Sequence, residues 1–105
     1  MPNEQSNIRK RTRMRLQEPK YYKVIMHNDD FTTMEFVMMV LKSVFRKNAI
    51  EAEQIMLTVH QSGKAVVEYY SYDMANSKSQ KAMRMAREQG FPLKLTVEPD
   101  DPPHF

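Results

Sequence analysis

Asn28, Asp29 and Asp30 stand consecutively between an alternating segment that ends at His27 and a helix-like pattern that begins near Thr32. Three acceptor side chains in so short a loop gather negative potential and carbonyl oxygen beside apolar residues. Such a place suits a ligand that is cationic at one end and hydrophobic at the other. Further along, Met56, Val59 and His60 fall at i, i+3 and i+4, which puts them on one face of a helix. Each feature also has a plainer reading. Asn and Asp side chains bond their own backbone in turns, a histidine on an apolar stripe can bond a core carbonyl, and Met34, Val37 and Met56 can simply pack.

Other chemistries find little to work with. The chain has no cysteine, which removes thiol catalysis and Cys-liganded zinc and fits a reducing compartment. Its two glycines make no phosphate-cradling loop, and no serine sits in a G-x-S-x-G turn. A metal site built from His27, Asp29, Asp30 and His60 matches no standard ligand spacing. A stacking surface for RNA on Tyr69, Tyr70 and Tyr72 is conceivable, which makes a small nucleic-acid-binding domain with a basic arm the alternative of a different class. An enzyme is not expected, and neither is a bound cofactor.

Charge is divided unevenly. Residues 1–20 carry six basic side chains (Arg9, Lys10, Arg11, Arg13, Arg15, Lys20) against Glu4 and Glu18, whereas residues 21–105 carry ten basic and eleven acidic ones. The net +3 therefore belongs to the first segment, and the remainder is slightly acidic. Polar, basic and bounded by prolines, residues 1–20 read as a disordered extension. The longest apolar run, residues 36–41, is six residues, far below the roughly 20 that cross a bilayer. No apolar block of a secretory signal precedes it. A soluble, cytoplasmic protein of one domain is expected, its folded part near the lower size limit for an unaided core.

The elements that must hold these residues are legible from periodicity. Residues 21–27 alternate as a strand. Thr32-Thr33-Met34-Glu35 has capping-box spacing, with Thr32 as the cap and Glu35 reaching back. Apolar residues at 36, 37, 40, 41, 44 and 45 then make a core-facing helix, expected to end near residues 46–48 with Asn48 as terminator. A second helix is predicted over about 51–61, closed by Gly63. A second strand follows over 64–72, then a third helix capped by Asp73 and closed by Gly90, and a third strand over 91–98, before a proline-rich tail at 99–105. The order β-α-α-β-α-β predicts a small α+β domain with a three-stranded sheet, antiparallel by preference, and three helices on one face.

Residues 21–98 resemble the ClpS family, the bacterial adaptors that deliver N-degron substrates to the Clp ATP-dependent protease. The resemblance rests on Tyr22-Lys23-Val24-Ile25, Asn28-Asp29-Asp30-Phe31-Thr32 and Met34-Glu35-Phe36-Val37. Further along it rests on Met56-Leu57, Val59-His60, Gly63-Lys64-Ala65, Lys78 and Pro92-Leu93. It implies that Asn28, Asp29 and His60 hold the free α-amino group of a substrate. An ammonium has three donors, matched by an amide oxygen, a carboxylate and an imidazole nitrogen, each charge-assisted bond contributing roughly 1.5–3 kcal/mol.

By the same resemblance, Thr32, Met34, Val37, Met56, Val59 and Leu93 line a pocket for the first side chain, with Asp30 near its mouth. Burying a Leu or Phe there contributes about 1.5–3 kcal/mol. Met34 matches a gatekeeper that crowds the first β-carbon, so Leu, Phe, Tyr and Trp are admitted and β-branched Ile and Val refused. Asp73 and Lys78 match positions that dock the amino-terminal domain of a hexameric Clp unfoldase, of ClpA or ClpC type, with the adaptor a monomer. Two positions depart from the pattern: Asp73 stands where Glu is usual, and Thr33 where proline is common.

Overall fold

The computed structural model describes residues 21–100. The expected disordered extension over 1–20 and the tail beyond 100 lie outside the described residues. Three strands, β1 (Tyr22–His27), β2 (Lys64–Tyr70) and β3 (Lys94–Pro99), and three helices, α1 (Met34–Ser43), α2 (Ala49–Ser62) and α3 (Tyr72–Glu88), follow in the order β1-α1-α2-β2-α3-β3. The sheet order is β2-β1-β3, and both neighbours run antiparallel to β1. β2 and β3 therefore point the same way but never pair, because β1 lies between them.

Val24, Ile25 and Met26 are consecutive and all buried, as expected of a central strand. Val24 and Met26, fully buried, join the core made with the helices, beside Phe36, Val40, Leu41 and Leu95. Ile25 faces the other way, between Val66 and Thr96 on the flanking strands. A bulge in β2 shifts the register between Val24 and Ile25. Bulges re-aim side chains, and here the Glu68 carboxylate meets Lys47 Nζ at 2.6 Å. Along α3 the buried residues are small, Ala75, Ser79, Ala82 and Ala86, which lets the helix lie close to the sheet.

Helix ends differ from expectation at three points. Thr33, not Thr32, is the N-cap of α1, its Oγ1 accepting from Phe36 N at 3.1 Å, because the hydroxyl of Thr32 is committed to Asp29. Asn48 does not terminate α1. Arg46 takes the left-handed conformation there (φ 59°), and Lys47 N donates to Leu41 O at 3.0 Å. Asn48 instead opens α2 in a capping box with Glu51, two reciprocal bonds of 2.8 and 3.1 Å. Finally, Ser71 rather than Asp73 caps α3. Asp73 sits in the first turn, where its charge complements the positive helix end.

The third strand starts later than its apolar pattern suggests, at Lys94. Phe91 N still bonds Ala86 O at 2.8 Å, and the Phe91 ring packs edge-on against Phe36 at 5.1 Å. At the other end it runs one residue past the expected boundary, since Pro99 pairs with Tyr22. Tyr69, Tyr70 and Tyr72 do not form a common platform. Tyr70 lies 6.4 Å from Phe45 in the core region, Tyr69 is exposed, and Tyr72 meets Tyr22 edge-on.

Candidate functional site

β1 delivers the loop Asn28-Asp29-Asp30 to the end of the sheet, and two helix termini converge on it. α1 starts a few residues after the loop, so Met34 stands in its first turn and Val37 one turn further in. α2 ends at Gly63, whose left-handed φ of 87° turns the chain straight into β2 with no intervening loop. Asn28 N donates to Gly63 O at 2.9 Å. That bond joins the loop to the last turn of α2, the turn that carries His60 and Val59.

Between them lies a cleft of about 270 Å³ lined by Asn28, Asp29, Asp30, Thr32, Met34, Val37, Met56, Val59 and His60. Nine of the ten residues singled out for a terminus-and-side-chain socket share this one cavity. The tenth, Leu93, lines an adjoining space of about 30 Å³ together with Thr32, Val37 and Val59. Leu93 is almost wholly buried. Val37 and Val59 are buried, Met56 is half-buried, and Met34 is 57% exposed over the cleft. Acceptor side chains thus share the cleft with hydrocarbon and thioether.

The loop is built around Asp29. Its Oδ1 accepts from Phe31 N (2.8 Å) and Thr32 N (2.6 Å), and its Oδ2 accepts from Thr32 Oγ1 (2.7 Å). Partial burial opposes the charge on this carboxyl, but the Thr32 and Phe31 bonds outweigh it, and the group titrates below its ordinary range. A carboxylate has about four acceptor positions; three are taken, and the one remaining is on Oδ2. Asp29 is thus a fixed negative charge with one free lone pair. Among the described residues, the side chains of Asn28, Asp30 and His60 make no hydrogen bond, and all three are exposed. The loop is a self-bonded turn that leaves one acceptor position of Asp29 without a partner among the described residues.

His27 stands apart. Its Nε2 lies 2.8 Å from Thr96 Oγ1, across the sheet, and it does not line the 270 Å³ cleft. Among the described residues, no group of three or more His, Asp or Glu side chains stands close enough to hold a metal ion. Asp73 is exposed on α3. Lys78 is not a free surface charge: its Nζ donates to Val44 O at 2.9 Å, satisfying a carbonyl at the end of α1, and lies 5.5 Å from the Tyr70 ring centre. Two features were not anticipated from the sequence. Thr32 clamps Asp29 rather than capping a helix, and an Asx turn with a hydroxyl three residues on was the available signal. Met38 and Met39, outside the core stripe, line a groove beside the cleft.

A small α+β domain with a cleft lined by both acceptor and apolar side chains defines a recognition module. The family model described as "ATP-dependent Clp protease adaptor protein ClpS" matches residues 17–96. The ClpS adapter of Acetivibrio thermocellus is 47% identical over 98 residues, covering 93% of this chain and 99% of that protein. That of Myxococcus xanthus is 46% identical over 89 residues, 85% of this chain and 83% of the relative. Among solved structures, Agrobacterium tumefaciens ClpS2 bound to L-phenylalaninamide superposes with a TM-score of 0.75 at 44% identity, covering 79% of this chain and all of that one. The chain belongs to the ClpS family of adaptors of the ATP-dependent Clp protease. It is an adaptor and not an enzyme.

Proposed function

We propose that this adaptor holds the free α-amino group and the bulky first side chain (Leu, Phe, Tyr or Trp) of an N-degron protein and delivers that protein to a Clp unfoldase for degradation. The observation that carries the reading is the cleft itself, whose lining combines the acceptors Asn28, Asp29 and His60 with the apolar Met34, Val37, Met56 and Val59. The free Oδ2 position of Asp29, the Asn28 amide oxygen and an imidazole nitrogen of His60 match three ammonium donors. In this reading Leu93, beside Thr32, Val37 and Val59 in the adjoining space, supports the side-chain pocket. The related structure from Agrobacterium tumefaciens carries L-phenylalaninamide, a ligand with an ammonium at one end and a phenyl ring at the other.

The partner in this reading is the amino-terminal domain of a hexameric unfoldase of ClpA or ClpC type, met through Asp73 and the surface around Lys78. The adaptor acts as a monomer in the cytoplasm, with residues 1–20 as a basic extension of the 21–98 domain. Calorimetry with two peptides, one with a free Phe terminus and one acetylated, tests the recognition step. The free peptide should bind and the acetylated one should lose at least tenfold, since acetylation removes charge and donors while the acceptors stay desolvated. Equal binding of the two peptides would sink the assignment.

A further inference from the structure

A groove of about 710 Å³ runs along the outer side of α1, lined by Met34, Glu35, Met38, Met39, Lys42, Ser43 and Met56. Its surface is methionine for most of its length, with one charge of each sign at its edges. Packing of the domain accounts for only part of this. α1 meets the core through Phe36, Val37, Val40 and Leu41, and Met38 and Met56 pack partly against it, whereas Met34 and Met39 are exposed by 57% and 39%. Met39 is held in place, because Ser43 Oγ donates to Met39 O at 2.7 Å and touches its sulfur at 3.3 Å.

We infer that this groove seats an apolar side chain at position two or three of the same substrate whose first residue fills the cleft. The inference rests on the terminus-binding reading and extends it. Continuity carries it: Met34 and Met56 line both cavities, so they form a shared wall. An extended chain advances about 3.3–3.6 Å per residue, so the residues that follow the first are the ones placed to meet a groove sharing the wall of Met34 and Met56. Unbranched thioether side chains adapt to many shapes, and a binder of varied protein termini meets varied second and third residues. The adaptor then prefers N-degrons that continue with an apolar residue, and the preference is set by Met39 and its neighbours on α1.

The test uses the full chain and labelled peptides sharing a free Phe terminus followed by Ala-Ala, Leu-Ala or Ala-Leu, with affinity read by fluorescence anisotropy. One of the Leu peptides should bind about five- to tenfold tighter than the Ala-Ala peptide, as expected for burying most of one such side chain. Met39→Gln, at an exposed position, should remove that gain and leave the Ala-Ala affinity and the unfolding temperature unchanged. Equal affinities for all three peptides, or a gain that survives Met39→Gln, overturns the subsite while the terminus reading stands. If none of the three binds, the terminus reading itself fails and takes the subsite with it. A change in sedimentation mass with Met39→Gln, in place of a change in peptide affinity, assigns the groove to a second copy and also overturns the proposal.

Discussion

The carboxylate of Asp29 accepts from Phe31 N, Thr32 N and Thr32 Oγ1, so deleting it disturbs the loop as well as the charge. Asp29→Asn separates the two roles. An amide oxygen can keep both backbone bonds at Oδ1, while the charge and the Oδ2 acceptor are lost. The unfolding temperature should hold and affinity for a Phe-starting peptide should fall about tenfold or more, the magnitude of one charge-assisted bond. Asp29→Ala should lower both. Wild-type affinity in Asp29→Asn would remove the charge from the recognition scheme. At Met34 the direction reverses: Met34→Ala opens the cleft wall at an exposed position, so Ile- and Val-starting peptides should gain affinity while Leu and Phe change little. Competition against a labelled Phe peptide reads this out, and continued refusal of Ile and Val would end the gatekeeper role.

At the scale of elements, β1 organises the molecule by pairing on both edges and feeding the loop. Its last residue, His27, faces Lys64 on β2 and Lys94 on β3. Burial first, then the Lys94 and Lys64 charges, push its pKa below 6.5 against a smaller upward pull from Glu98. The folded state therefore binds fewer protons than the unfolded one in the window below 6.5. Stability from this source is complete above that value and declines as pH falls through the lower, folded one. The slope of unfolding temperature with pH should flatten in His27→Gln, and an unchanged slope would show that His27 does not set it. The interiors of α1 and α2 were readable in the sequence from the apolar period of 3.6 residues, as was the close of α2 at Gly63, but the N-caps were not. Thr32 and Thr33 are equivalent as letters, and only the pull of Asp29 on Thr32 decides which one caps α1. Asn48 likewise suits the end of one helix or the start of the next. The box with Glu51 settles it for the start, and Arg46 accepts the left-handed turn.

For the molecule as a whole, the surface proposed for docking a partner also bears on stability. Lys78 ties α3 to the end of α1 through Val44 O, so its charge is already in use inside the domain, whereas Asp73 is exposed. Asp73→Ala should weaken binding of an unfoldase amino-terminal domain with no change in unfolding temperature, and Lys78→Ala should reduce both, as calorimetry alongside thermal unfolding would show. Unaltered partner affinity in Asp73→Ala would move the docking surface elsewhere. By itself the sequence determined the element order, the core stripes of α1 and α2, the strand character of β1 and the residue types of the site, because periodicity and turn chemistry are local. Only the tertiary structure decided that Asn28 is bonded to Gly63, that Leu93, beyond the third helix, adjoins the cleft, and that Met56 of α2 joins three methionines of α1 in one groove. Those are contacts between residues far apart in the chain, made by packing the elements against one another, and no local pattern encodes them.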